Sequence, residues 1–153
     1  MPRVSDFEIL QKREQPTLFI RTITKVESLP ALIGASYGKM AAYLKEIDAY
    51  LAEVPYVAYH NMDMQNLDIE IGFPTAIALP CRDEIQAGFL PAGKVVFCMY
   101  RGAYGEMEPV YGEMAKWIAD NNYQPTGTAY EHYYNGPGFP ESEMLTMIVL
   151  PLA

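Results

Sequence analysis

Apolar side chains recur at spacings of three and four from Ile33 through Tyr37, Met40, Leu44 and Ile47 to Leu51, the stripe of a helix that turns one face to a core. Ser28 stands where an N-cap is expected, and Pro30 falls in the first turn, where a missing N–H costs nothing. Met107, Tyr111, Met114 and Ile118 repeat the stripe, with Pro109 near its start. Elsewhere the pattern alternates, most clearly in Asp68-Ile69-Glu70-Ile71. Strands are predicted over residues 7–13, 17–25, 55–61, 66–76, 83–89, 93–101, 126–134 and 143–151. A proline-containing turn joins the first two strands of each half, and signals such as Asn135-Gly-Pro-Gly138 separate the last two.

The order of elements occurs twice because the chain repeats itself. Tyr37, Gly38, Met40 and Ala41 match Tyr111, Gly112, Met114 and Ala115, and Tyr43 stands opposite Trp117. The same spacing pairs Tyr56, Tyr59 and Asn61 with Tyr130, Tyr133 and Asn135. Leu67–Pro74 lines up with Met144–Pro151, and Phe7-Glu8-Ile9 with Asp83-Glu84-Ile85. A shared order of matches along the whole chain is the mark of duplication. The expected fold is α+β: two strand-helix-strand-strand modules, about 1–78 and 79–153, related by an approximate twofold. Together they form a single domain over 1–153, with antiparallel sheet, two main helices and a central groove suited to a ligand.

At 153 residues, half of them apolar and 20% charged, the composition is globular. The net charge of −8 argues against direct nucleic-acid binding, which rests on a basic face, and favours a cationic or neutral partner. No apolar run is long enough to span a bilayer, and Met-Pro-Arg-Val-Ser-Asp-Phe-Glu lacks the character of a secretory signal. Cys81 and Cys98 have no metal-ligand spacing and read as reduced thiols, so a cytoplasmic location is expected. His60 and His132 are too few for most metal sites, and neither a metal nor another cofactor is expected. His60-Asn-Met-Asp63 reads as a polar loop end before it reads as an ion site. Exposed strand edges leave a homodimer open.

The repeat isolates one position. Val57 of the first half corresponds to Glu131 of the second, and alternation puts Glu131 on the same strand face as Tyr133. If Tyr133 faces inward, as its counterpart Tyr59 should, a carboxylate points into an aromatic space, where it needs a tyrosine hydroxyl or a cationic ligand. The other reading places Glu131 on a solvated face or on neighbouring backbone. Trp117 flanks the buried helix stripe and belongs either to the groove edge or to the core. Tyr104, before the second helix, either donates to a groove carboxylate or is solvated. Phe73 is either ordinary packing or pocket lining.

Tyr100-Arg-Gly-Ala-Tyr104, Trp117-Ile118, Glu131-His-Tyr133 with Asn135-Gly-Pro137, Ile148-Val-Leu-Pro151 and Asp68-Ile-Glu-Ile-Gly-Phe-Pro74 together resemble the gyrase-inhibitor-like (GyrI-like) small-molecule-binding family, whose domain also serves as the effector-binding half of multidrug-responsive transcription regulators. The resemblance implies a groove in which Glu131 meets cationic, lipophilic aromatic compounds, with Tyr133 and Trp117 beside it; Tyr59, Tyr104 and Phe73 are further candidate contacts by their positions in the chain. It also implies two alternatives. One is hydrolysis of strained, cyclopropane-type electrophiles by Glu131 with Tyr104 or Tyr133, and the other is inhibition of a topoisomerase by protein contact. Because the two modules consume the chain, a stand-alone binder is expected. The turn reads Gly-Ala-Tyr where relatives often have Gly-Pro-Tyr.

Overall fold

The computed structural model describes residues 3–136 and 138–153; Pro137, of the Asn135–Gly138 turn, lies outside them with Met1 and Pro2. The fold is α+β. Its eight antiparallel strands are β1 (Glu8–Lys12), β2 (Gln15–Thr24), β3 (Tyr56–Tyr59), β4 (Leu67–Pro74), β5 (Gln86–Leu90), β6 (Gly93–Arg101), β7 (Ala129–Tyr133) and β8 (Leu145–Pro151). The helices are α1 (Leu29–Glu46) and α2 (Glu108–Asp120). Each strand falls on a segment where the sequence alternates or runs apolar between turn residues. No helix among the described residues is long and apolar enough to cross a membrane.

The chain divides into two compact units, Arg13–Ala92 and the segment up to Lys12 with Gly93–Ala153. The division differs from the repeat boundary expected near residue 78, because the leading strand of each half pairs elsewhere. β1 lies antiparallel to β6, and β5 antiparallel to β2. One unit therefore orders its strands β5-β2-β4-β3 and the other β1-β6-β8-β7, the same arrangement with leading strands exchanged. The expected proline turn between β1 and β2 is absent: Pro16 lies inside β2, opposite Phe89. Neither Arg13 nor Glu14 has the positive φ that a two-residue hairpin turn requires.

Within unit Arg13–Ala92, alternation sends Leu18, Ile20, Val57, Ile69, Ile71 and Phe73 to one sheet face, all buried, where α1 contributes Met40, Tyr43 and Leu44. The second unit builds the same layer from Val96, Cys98, Tyr100 and Ile148 against Met107, Val110, Met114 and Ile118 of α2 and its lead-in. Burial pushes the Cys98 thiol up to about 11, as befits a core residue.

Two helix-end expectations change. Ser28 makes no side-chain cap, because a 3₁₀ turn over Val26–Ser28 leads into α1 and leaves Ser28 already helical at φ −89°, ψ −6°. Leu51 lies beyond the helix and is exposed. α1 stops where Asp48 takes a left-handed φ of 55° and the Ala49 amide donates back to the Leu44 carbonyl. α2 ends the same way at Asn122 (φ 62°), with the Tyr123 amide on the Ile118 carbonyl.

Candidate functional site

Glu131 is the middle residue of β7, paired with Ile148 of β8, which packs under α2. That register turns the Glu131 side chain to the helix side of the sheet, where it is only 9% exposed. Both carboxylate oxygens accept a phenol. Tyr111 of α2 donates to Oε2 at 2.5 Å, and Tyr133, two residues along β7, donates to Oε1 at 2.6 Å. Burial raises the Glu131 pKa above the ordinary glutamate value, and the two phenols oppose that rise by favouring the charged form. The solvated reading of this residue is therefore excluded.

A third phenol closes the group. Tyr104 sits in the 3₁₀ turn before α2, with its ring 5.0 Å from that of Tyr133 and tilted by 53°. Part of its ring is open to solvent. Burial, and then the negative charge of Glu131, raise its hydroxyl pKa. The turn that delivers it depends on Gly102, whose φ of +144° disfavours a side chain and whose amide donates to the Met144 carbonyl. The Tyr100 hydroxyl donates to the Ala103 carbonyl at 2.5 Å and ties the turn to the core. Ala103 rests at φ −69°, ψ 142°, a conformation proline also adopts, so the Gly-Ala-Tyr departure keeps the backbone of a Gly-Pro-Tyr turn.

Trp117 stacks on Tyr123 and meets Phe7 edge-on, and Phe7 leads into β1, at the far edge of the unit's sheet from β7. Tyr59 and Phe73 belong to the other unit. Tyr59 lies opposite Ile69 on β3, and Phe73 is buried with its ring 5.2 Å from Tyr37 of α1. Val57, the counterpart of Glu131, is wholly buried opposite Ile71.

Tyr111 lies in the helix stripe and matches Tyr37, so the sequence pattern marks it as core and gives no sign of its bond to Glu131. A second polar group was also missed. On the sheet face away from α1, Tyr56 donates to Oε2 of Glu70 at 2.6 Å, His60 Nε2 lies 3.2 Å from Oε1, and Thr17 meets the Tyr56 hydroxyl at 3.1 Å. The ring of Tyr56 fits because Gly72 lies beneath it: a Cβ there would stand 2.2 Å from the ring. Asn61 and Asp63 are used within their own loop, and the described residues contain no group of three potential metal ligands.

The fold recurs in solved structures. The chain resembles EcmrR in its DNA complex with a TM-score of 0.82 at 20% identity, covering 96% of this chain and 57% of that one, so it spans little more than half of EcmrR. Against the EcmrR C-terminal domain alone the values are 0.75 and 20%, with 98% of each chain covered. A hydrolase from Listeria innocua aligns at 0.74 and 13%, covering 100% and 94%. SAV2435 bound to tetraphenylphosphonium aligns at 0.68 and 11%, covering 97% and 94%. At such identities the likeness is one of fold. No curated protein matches the chain by sequence. The GyrI-like small molecule binding domain profile, however, matches residues 5–153, nearly the whole length, and on that match the chain belongs to the GyrI-like family of small-molecule-binding domains.

Proposed function

We propose that this domain captures a cationic, amphipathic aromatic compound, with Glu131 as the counter-charge and the rings of Tyr104 and Tyr133 as contact surfaces. The observation that carries the reading is a buried carboxylate held on both oxygens by phenols, next to a third ring that is partly open to solvent. A bound cation would supply the charge that burial denies Glu131, and each favourable ring contact adds about 0.5–2 kcal/mol. The overall charge of −8 draws cations toward the surface. SAV2435, similar in fold, binds the lipophilic cation tetraphenylphosphonium, which supports this ligand class. The test is calorimetric titration with tetraphenylphosphonium. Glu131→Gln keeps the shape, removes the charge and weakens binding about tenfold or more, equivalent to ~1.4 kcal/mol. Wild-type affinity rises with pH as Glu131 ionises, while the variant's stays flat. Equal affinity of the two proteins would remove the carboxylate from the account.

A second reading is hydrolysis of a strained, cyclopropane-type electrophile. It rests on the raised pKa of Glu131, which suits proton transfer, and on phenols within hydrogen-bond reach. The fold likeness to a hydrolase from Listeria innocua is compatible with it. Multiple turnovers of such an electrophile, lost in Glu131→Gln, would establish it; consumption limited to one equivalent would end it.

A further inference from the structure

We propose that β1 is a self-pairing edge through which two copies of this chain associate about a twofold axis at Leu10. β1 ends its unit's sheet, with β6 on one side and no strand among the described residues on the other. Four of its five residues are exposed, Ile9 and Leu10 among them. An edge of this kind presents unpaired N–H and C=O groups that template a further strand.

The segment Glu8-Ile-Leu-Gln-Lys12 matches itself in one register. Centred on Leu10, antiparallel pairing sets Glu8 of each copy opposite Lys12 of the other, Ile9 opposite Gln11, and Leu10 opposite Leu10. Residues directly opposite share a sheet face, so two ion pairs flank the leucine contact. That face is the one away from α2, because Glu8 and Leu10 pair with Phe97 and Val95, whereas Val96 and Cys98 pack under the helix. Within β1 no other antiparallel register sets Glu8 opposite Lys12, and a parallel in-register pairing sets like charges together. An edge lysine ordinarily blocks strand addition; here the twofold register gives it an acidic partner. Within one chain, neither Glu8 nor Lys12 has an ion pair among the described residues. β5, at the edge of the other unit's sheet, offers no such match: centred on Gly88, it sets Gln86 against Leu90.

Sedimentation velocity over a concentration series at low salt tests the proposal. The weight-average mass of the wild-type chain climbs from 17.2 kDa toward twice that value. Glu8→Lys and Lys12→Glu each raise the concentration needed for half-dimerisation about tenfold or more, since each sets like charges opposite one another twice. The double variant Glu8→Lys/Lys12→Glu inverts both pairs and restores association. Glu8 is exposed and Lys12 half-buried, with no ion pair for either among the described residues, so circular dichroism shows every variant folded. A wild-type chain that stays monomeric to its solubility limit overturns the proposal, as do single variants that associate like the wild type. A double variant no better than the singles does so equally.

Discussion

In unit Arg13–Ala92, β3 turns Val57 toward α1, opposite Ile71; in the other unit, β7 turns Glu131 toward α2, opposite Ile148. The strand order, the helix, its left-handed C-terminal residue and the flanking tyrosines correspond in both: Tyr37 with Tyr111, and Tyr59 with Tyr133. The phenols that hold Glu131 thus belong to the duplicated scaffold, and the acid is what distinguishes one copy. A buried valine is satisfied by contact alone. A buried carboxylate needs donors, and this scaffold had rings of the right length in place to provide them.

The largest test of that contrast is Val57→Glu. Put into a wholly buried position, the new carboxylate is expected to cost about 3–5 kcal/mol in urea unfolding at neutral pH. Much of the loss returns near pH ~4, as the new group protonates. A loss under ~1 kcal/mol would mean that Tyr37 and Tyr59 receive the acid as Tyr111 and Tyr133 do.

Gly72→Ala probes the opposite sheet face. The added methyl meets the Tyr56 ring at 2.2 Å, and that ring is tied down by Thr17 and Glu70. A cost of about 1–3 kcal/mol follows. The corresponding place in the other unit holds Val149 opposite Tyr130, so there a side chain is already accommodated. An unchanged melting temperature in Gly72→Ala would show that the Tyr56 network yields freely.

Glu131→Gln gives a smaller effect with a definite pH signature. The folded pKa of Glu131 lies above its unfolded value, so the native state holds its proton more tightly. The contribution of Glu131 to stability is therefore fully present below the ordinary glutamate range and is lost as pH rises through the raised folded value. The variant lacks this term and is expected to be more stable than wild type by about 1 kcal/mol at neutral pH, with the difference vanishing in acid. A difference independent of pH would contradict the assignment. Smallest is Tyr43→Phe. Tyr43, the counterpart of Trp117, is buried and donates to the Pro80 carbonyl at 2.8 Å, so the change removes one hydrogen bond at ~0.5 kcal/mol. A clearly larger loss would make Tyr43 a structural anchor that Trp117, stacked on Tyr123, is not.

Much of this was open to reading from residue order. Alternation and turn residues locate the strands, the helix stripes locate α1 and α2, and the repeat singles out Glu131 against Val57. Each depends on neighbours a few positions apart, or on comparing the chain with itself. The missed features depend on who stands across a sheet or above it. Ser28 looks like a cap, but the preceding 3₁₀ turn had already taken its backbone into the helix. Trp117 flanks the stripe on the side of Phe7 and β1, which becomes visible only once β1 is known to lie on β6. The Tyr56–Glu70–His60 group joins residues from β3, β4 and the loop between them, on a face that no helix pattern marks.

Local periodicity and internal duplication thus account for the elements, their kind and the one odd acidic position, since burial of an apolar face sets those patterns along the chain itself. The exchange of β1 and β5, the raised pKa of Glu131 and the part played by Tyr111 came from the packed fold. Strand partners and buried hydrogen bonds join residues far apart in the chain, and the cost of burying a charge depends on which donors arrive beside it.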